Sequence, residues 1–182
     1  VAKAVSDTVK SGLFPVVLAG DPSTAGGTIA GLKMAKPKNR LGVIWIDAHA
    51  DMHTPFTTPS GNLHGMPLAA ALAMDNIENQ VHHPDAATID TWNKLKNLGK
   101  IQPKINPEDI VFIALRDYEK EEEYLIKKHN IKVIPVQEVR RKGVENVVRQ
   151  TLLHLSSCDD IYVSFDVDSL DSSISRGTGT PV

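Results

Sequence analysis

One cysteine, Cys158, stands in 182 residues, so no internal disulfide can form. That fits a reducing compartment. Charge of neither sign dominates: 20 Lys and Arg face 22 Asp and Glu, for a formal net charge of −2. There is then no basic patch to suggest nucleic acid and no acidic tail to suggest a solvating segment. No apolar run approaches the roughly 20 residues needed to span a bilayer. Internal repeats and low-complexity tracts are missing as well. The first residues, "VAKAVSDTVKSG", form an amphipathic helix pattern and not a signal peptide, which leads to the expectation of a cytoplasmic protein. The chain also lacks an initiator Met, and the expectation is a piece of something longer. Its length suffices for one domain with a real core.

What is there is alternation. Short apolar runs predict strands at Val16–Ala19, Gly42–Ile46, Asp109–Ala114, Lys132–Val136 and Ile161–Asp166. They are nearly continuous in Val, Ile, Leu and Phe, as strands buried on both faces should be. Helix-period segments lie between them, at Ser23–Met34, Met66–Asp75, about Asp90–Leu98, Lys120–His129 and Val144–Leu155. The stretches "NQVHHPDAATID" and "NLGKIQPKINPED" read as surface loops, rich in breakers. Strand and helix in turn predict an α/β fold, a parallel β-sheet sandwiched by helices in three layers. The whole of 1–182 is expected to be a single domain. In such sheets ligands bind beyond the carboxyl ends of the strands.

Two strand ends there are unusual. In "IWIDAHADMHTP", Asp47, His49 and Asp51 alternate with alanines. Fully extended, Asp47 and Asp51 would stand ~13 Å apart at ~3.3 Å per residue, too far to share an ion comfortably. A helix would turn His49 away from both. A chain that curls into a loop at His49 lets all three converge, and D-x-H-x-D after a buried strand points to metal binding. In "IYVSFDVDSLD", Asp166 and Asp168 close another apolar strand. A carboxylate there is costly unless paired, hydrogen-bonded or on a metal. Five ligands from two strand ends are many for one ion and natural for two that share bridging carboxylates, about 3.5–4 Å apart. Oxygen-rich, thiol-free ligation suits Mn or Mg better than structural zinc.

A third stretch, "TTPSGNLHGMP", gathers Ser60, Asn62 and His64 around Gly61 and Gly65. A histidine is suited to proton transfer at neutral pH. The alternative is a loop whose Ser and Asn cap their own turns.

"DAHADMHTP…TTPSGNLHGMP" and "SFDVDSLD…GTGTP" resemble two signature motifs of the ureohydrolase family, which includes arginase and agmatinase, and "AGDPS" resembles its third, Gly-Gly-Asp-His-Ser. The "TTPSGNLHG" loop is similar to that of arginase in particular, and the likeness runs through essentially the whole chain. The resemblance implies a binuclear manganese centre. Asp47 and Asp166 would bridge both ions, Asp51 would complete the ligands of the first ion, and His49 and Asp168 those of the second. A hydroxide between the ions would attack the guanidinium carbon of arginine, giving ornithine and urea, with His64 shuttling the proton; His64 and Asp51 are thus the catalytic assignments. Ser60, Asn62 and His53 would meet the substrate carboxylate, Glu119 its α-amino group, and Thr180 would lie near the guanidinium. The carboxylate-binding loop favours arginase over agmatinase. No nucleic acid or membrane partner is implied, and the family's habit suggests a homo-oligomer, a trimer or hexamer.

The chain departs from the family pattern at four places. Pro22 replaces a metal-ligating His, so one ion is expected to be weakly held. His53 stands where many arginases carry Asn, and Ser172 and Arg176 replace prolines. The chain also starts well inside the family fold and stops at Val182. The family's sheet order sets Val16–Ala19 beside a strand beyond Val182, so the isolated chain is expected to be loose, oligomeric or aggregation-prone. A catalytically impaired subunit and an agmatinase-type enzyme are the alternative readings. Pro22 itself is expected near the first turn of the helix after Asp21, where its missing N–H is not needed.

Overall fold

The computed structural model describes residues Val1–Thr180 and Val182. It divides into two compact units, one of residues 1–39 and 51–106, the other of residues 40–50 and 107–182. The class is α/β, with a parallel sheet flanked by helices.

The second unit holds the sheet. Its strands are β1 (Leu41–Ile46), β2 (Ile110–Ile113), β3 (Lys132–Ile134) and β4 (Asp160–Phe165), all parallel, in the order β3-β2-β1-β4. β1 is central, and its LGVIWI run is buried or half-buried throughout, as a strand covered on both faces requires. Helices α5 (Lys120–Lys128), α6 (Val136–Lys142) and α7 (Val144–His154) connect the strands. Val147 and Leu155 pack against Val111 and Ile134 to form a core on one sheet face, with Ile44 and Ile113 alongside. At the amino end of β1, Arg40 forks onto the buried Asp109 carboxylate, with Nε 2.8 Å from Oδ2 and Nη2 2.8 Å from Oδ1. Gly42 lies in a close approach there, because a Cβ would sit 3.1 Å from Cys158 Sγ and press on that side chain.

The first unit is helical. Its helices are α1 (Ala2–Lys10), α2 (Ser23–Ala35), α3 (Pro67–Leu72) and α4 (Ala86–Lys96). α1 crosses α2 over Gly31, where an added Cβ would lie 2.5 Å from Ala2 O. Trp92 of α4 packs on Met66, Ala69 and Ala70, and its Nε1 and Lys96 Nζ both donate to Asp75 Oδ1 at 2.6 Å. Pro22 is the N-cap of α2 at φ −63°, as expected.

Four readings of local structure need correction. Val16–Ala19 is not a strand; Val16 and Leu18 are exposed and the run joins no ladder. Apolar β-formers become a strand only when a neighbouring edge takes up their backbone groups. β4 is not buried on both faces: Ile161, Val163 and Phe165 alternate outward from this edge strand. The loop read at "NLGKIQPKINPED" turns inward, burying Lys104 and Ile105, with Lys104 Nζ donating to Lys96 O at 2.5 Å. The second half of "NQVHHPDAATID" opens α4, because Asp85 accepts the Thr88 N–H at 2.7 Å as an N-cap. α6 was not foreseen, and begins where the expected strand Lys132–Val136 was to end. No helix among the described residues is long and apolar enough to cross a membrane.

Candidate metal centre

The register of the sheet builds the site. β1 and β4 pair Ile46 with Phe165, and the ladder runs on, the Asp166 N–H donating to Ile46 O at 2.9 Å and the Asp47 N–H to Ile113 O at 3.1 Å. Continued at the same offset, that register sets Asp47 beside Asp166 and His49 beside Asp168. His49 Nδ1 lies 2.9 Å from Asp168 Oδ2 and 3.5 Å from Asp47 Oδ1. One ligand atom from each of Asp47, His49 and Asp168 lies within 4.8 Å of the others, and both carboxylates are buried.

The supports of each group are local. Asp47 Oδ1 accepts the His49 N–H at 2.8 Å, which curls the chain directly after the strand. Asp168 Oδ1 accepts the Ala48 N–H at 3.2 Å, and its Oδ2 accepts the Thr180 hydroxyl at 3.0 Å. Asp166 caps the short turn Val167–Ser169, its Oδ1 accepting the Asp168 N–H at 2.9 Å. Arg116 and Asp117, which follow β2 in the stretch "LRDYEKEEE", were not singled out by sequence reasoning; their only signal is position after a strand. Both N–H groups donate to Ala48 O at 3.0 Å, and Asp117 Oδ2 faces His49 Nε2 at 3.5 Å. The Arg116 guanidinium donates to Asp168 O at 2.7 Å. Glu119, exposed, is the N-cap of α5, and its N–H donates to Glu122 Oε2 at 3.2 Å.

The electrostatics follow from burial and like charge. Burial pushes the Asp47 carboxyl up to about 6, against the bonds from His49, with Asp168 and Asp166 adding to the rise. His49 is driven up to about 10 by its bonds to Asp168 and Asp47. Burial would also raise Asp168, but His49, the Ala48 N–H and Thr180 together bring it down to about 2. Two crowded, buried carboxylates thus hold one imidazolium as their counter-charge. A divalent cation answers the same need, and two carboxylates with one imidazole suit a hard to borderline ion.

The remaining predicted residues belong to the helical unit. Asp51 takes φ 51°, turning the chain, and its carbonyl accepts the Leu68 N–H at 3.1 Å. His53 is buried, with Nδ1 3.1 Å from Thr57 Oγ1. Ser60 Oγ accepts the Asn62 N–H at 3.2 Å and both residues are exposed, so the loop does stabilise its own turn. Gly61, at φ 74°, makes that turn affordable to the backbone. His64 lies half-buried in the short turn Leu63–Gly65. Asp21 is held below the usual carboxylate range by the Ser23 hydroxyl and N–H, with a smaller contribution from His64.

A sequence profile of the Arginase family matches residues 1–182. Arginase of Bacillus caldovelox is 43% identical over 182 residues, covering all of this chain and 55% of that protein. Arginase of Bacillus subtilis (strain 168) is 41% identical over 181 residues and is likewise covered over 55% of its length. A 1.7 Å crystal structure of arginase from Bacillus subtilis superposes with a TM-score of 0.85 at 41% identity, over all of this chain and 56% of that one. Helicobacter pylori arginase gives a TM-score of 0.85 at 26% identity, with 58% of its chain covered. This chain therefore spans a little over half the length of the relatives it matches. With the profile matched from end to end and the fold shared, the chain belongs to the arginase family.

Proposed function

We propose that the protein is a manganese-dependent guanidino hydrolase, an arginase that converts arginine and water to ornithine and urea. The observation that carries this is the trio Asp47, His49 and Asp168, whose ligand atoms lie within 4.8 Å of one another at the carboxyl ends of neighbouring parallel strands. Asp47, His49, Asp166 and Asp168, with Asp51 as the fifth ligand, would hold the ions. Manganese bound there supplies Lewis acidity and makes water nucleophilic near neutral pH.

The chain's own groups do the rest. The Ala48 N–H and the Thr180 hydroxyl orient the Asp168 carboxylate. The His49 N–H fixes one oxygen of Asp47. Ser60, which accepts from Asn62, keeps its hydroxyl proton for a substrate carboxylate, and the Asn62 amide is a second donor. His53 is assigned to the same carboxylate, Glu119 to the α-amino group and Thr180 to the guanidinium end. His64 is assigned to proton transfer. Pro22 offers no side-chain ligand atom, so one ion is held by fewer groups than the other. Assembly as a trimer or hexamer belongs to the same reading.

The test is turnover of arginine against agmatine in the presence of Mn2+. Arginine should be hydrolysed far faster. Equal turnover of the two overturns the arginase assignment. No turnover of either, with Mn2+ bound, favours a non-catalytic member, the reading that Pro22 supports.

A further inference from the structure

We infer that Arg116 is a positioning residue that holds both arms of the Asp47–His49–Asp168 cluster in one geometry. Its relevance to metal binding rests on the reading just given. The first arm is the Asp47–His49 turn. Ala48 lies at its middle, and Ala48 O accepts the N–H groups of both Arg116 and Asp117 at 3.0 Å. The second arm is the segment after β4. Arg116 Nη2 donates to Asp168 O at 2.7 Å and reaches Leu170 O at 3.4 Å, while Nη1 reaches Ser169 O at 3.3 Å. Nη1 also lies 3.4 Å from Ala114 O, at the end of β2, where a φ of 72° turns the chain.

One residue therefore ties three strand ends together through their carbonyls. Its backbone fixes the residue between Asp47 and His49, and its side chain fixes the peptide of Asp168. The Asp168 carboxylate returns the link by accepting the Ala48 N–H. A guanidinium suits this role because its planar fork presents several donors at once; the ammonium of Lys is a point donor and cannot span the same carbonyls. Because the guanidinium engages backbone carbonyls, the Asp47 and Asp168 carboxylates keep their contacts with His49, and Asp168 those with the Ala48 N–H and the Thr180 hydroxyl. Partners that orient metal ligands are worth roughly 10–100-fold in affinity or activity.

The experiment compares wild type, Arg116→Met, Arg116→Lys and Arg176→Met. Arg176 lies on the same segment, and its Nε reaches Ser173 O at 3.5 Å, so it is the control. Mn2+ affinity is read by the electron paramagnetic resonance of unbound Mn2+ and normalised to the folded fraction from far-ultraviolet circular dichroism. The 1H–15N correlation of the His49 ring is recorded without metal. Arg116→Met should bind Mn2+ about 10-fold more weakly or worse, Arg116→Lys should lose less, and Arg176→Met should match wild type. The metal-free His49 signal should move in the Arg116 variants only. If Arg116→Met does not fold, Arg116→Lys carries the comparison. An unmoved His49 signal, unchanged Mn2+ affinity in a folded Arg116 variant, or an equal loss in Arg176→Met overturns the inference. A wild type that binds no Mn2+ overturns the metal reading instead, and the His49 signal then decides the positioning role by itself.

Discussion

His49 Nδ1 meets Asp168 Oδ2 at 2.9 Å, joining two residues from strand ends 119 positions apart in sequence. The contact is the sheet register carried three residues past the last ladder pair, Ile46 and Phe165. Removing either partner should weaken Mn2+ by roughly 10-fold or more, about 1.4 kcal/mol for each tenfold. Titration calorimetry on His49→Ala and Asp168→Asn checks this. Affinity unchanged in both would show that the trio is an internal ion pair and not a ligand set.

Pro22 fits its place without strain, as the αR N-cap of α2. Other residues accept the same φ and ψ, so Pro22→His should fold normally. On the ligand assignment it should raise the bound Mn2+ per chain and increase arginine turnover at limiting Mn2+. A substitution that changes neither means that "AGDPS" is not the ligand position.

Asp109 is buried and takes its charge balance from Arg40, which is itself part-exposed. Cys158 Sγ lies 3.5 Å from Asp109 Oδ1, and burial together with that carboxylate pushes the thiol up to about 11. Arg40→Met should lower the unfolding midpoint, because the buried Asp109 carboxylate loses the charge of Arg40, although solvent screens part of that interaction. Urea unfolding measures it. Cys158 should also react slowly with a disulfide reagent at pH 8 in the wild type, since the thiolate is the nucleophile.

Lys104 is buried, and burial pulls its ammonium down to about 8 from the ordinary value of 10.5. Above pH 8 the folded chain has lost this proton while the unfolded chain keeps it to about pH 10.5. The unfolded state then binds more protons, so this group's contribution to stability rises with pH through that window and is least favourable below pH 8. The gain between pH 7 and 9 should be about 1 kcal/mol, from 1.36 kcal/mol per pKa unit. Urea unfolding at the two pH values should show it in wild type and not in Lys104→Met. Identical pH dependence in the two proteins would mean that Lys104 keeps its ordinary affinity for a proton.

Much of this was legible in the residues because its causes are local. The apolar runs at Leu41–Ile46, Ile110–Ile113 and Asp160–Phe165 become strands because β-formers in unbroken sequence need both faces covered or a partner on the edge. Glu119 and Pro22 stand at helix starts for reasons of capping and fixed φ that no distant contact alters, whereas the Asp85 cap, equally local, was read as part of a loop. The D-x-H and D-x-D motifs announce costly groups at strand ends before any fold is known. Tertiary structure decided what those groups meet. Register is a property of two strands together, and only the Ile46–Phe165 pairing brings His49 to Asp168. Val16–Ala19 has the composition of a strand and does not become one, because a ladder needs a partner that composition cannot supply. Arg116 reads in sequence as one more charged residue after β2. It becomes a clamp because folding carries the carbonyls of Asp168 and Ser169 to within 3.3 Å of its guanidinium.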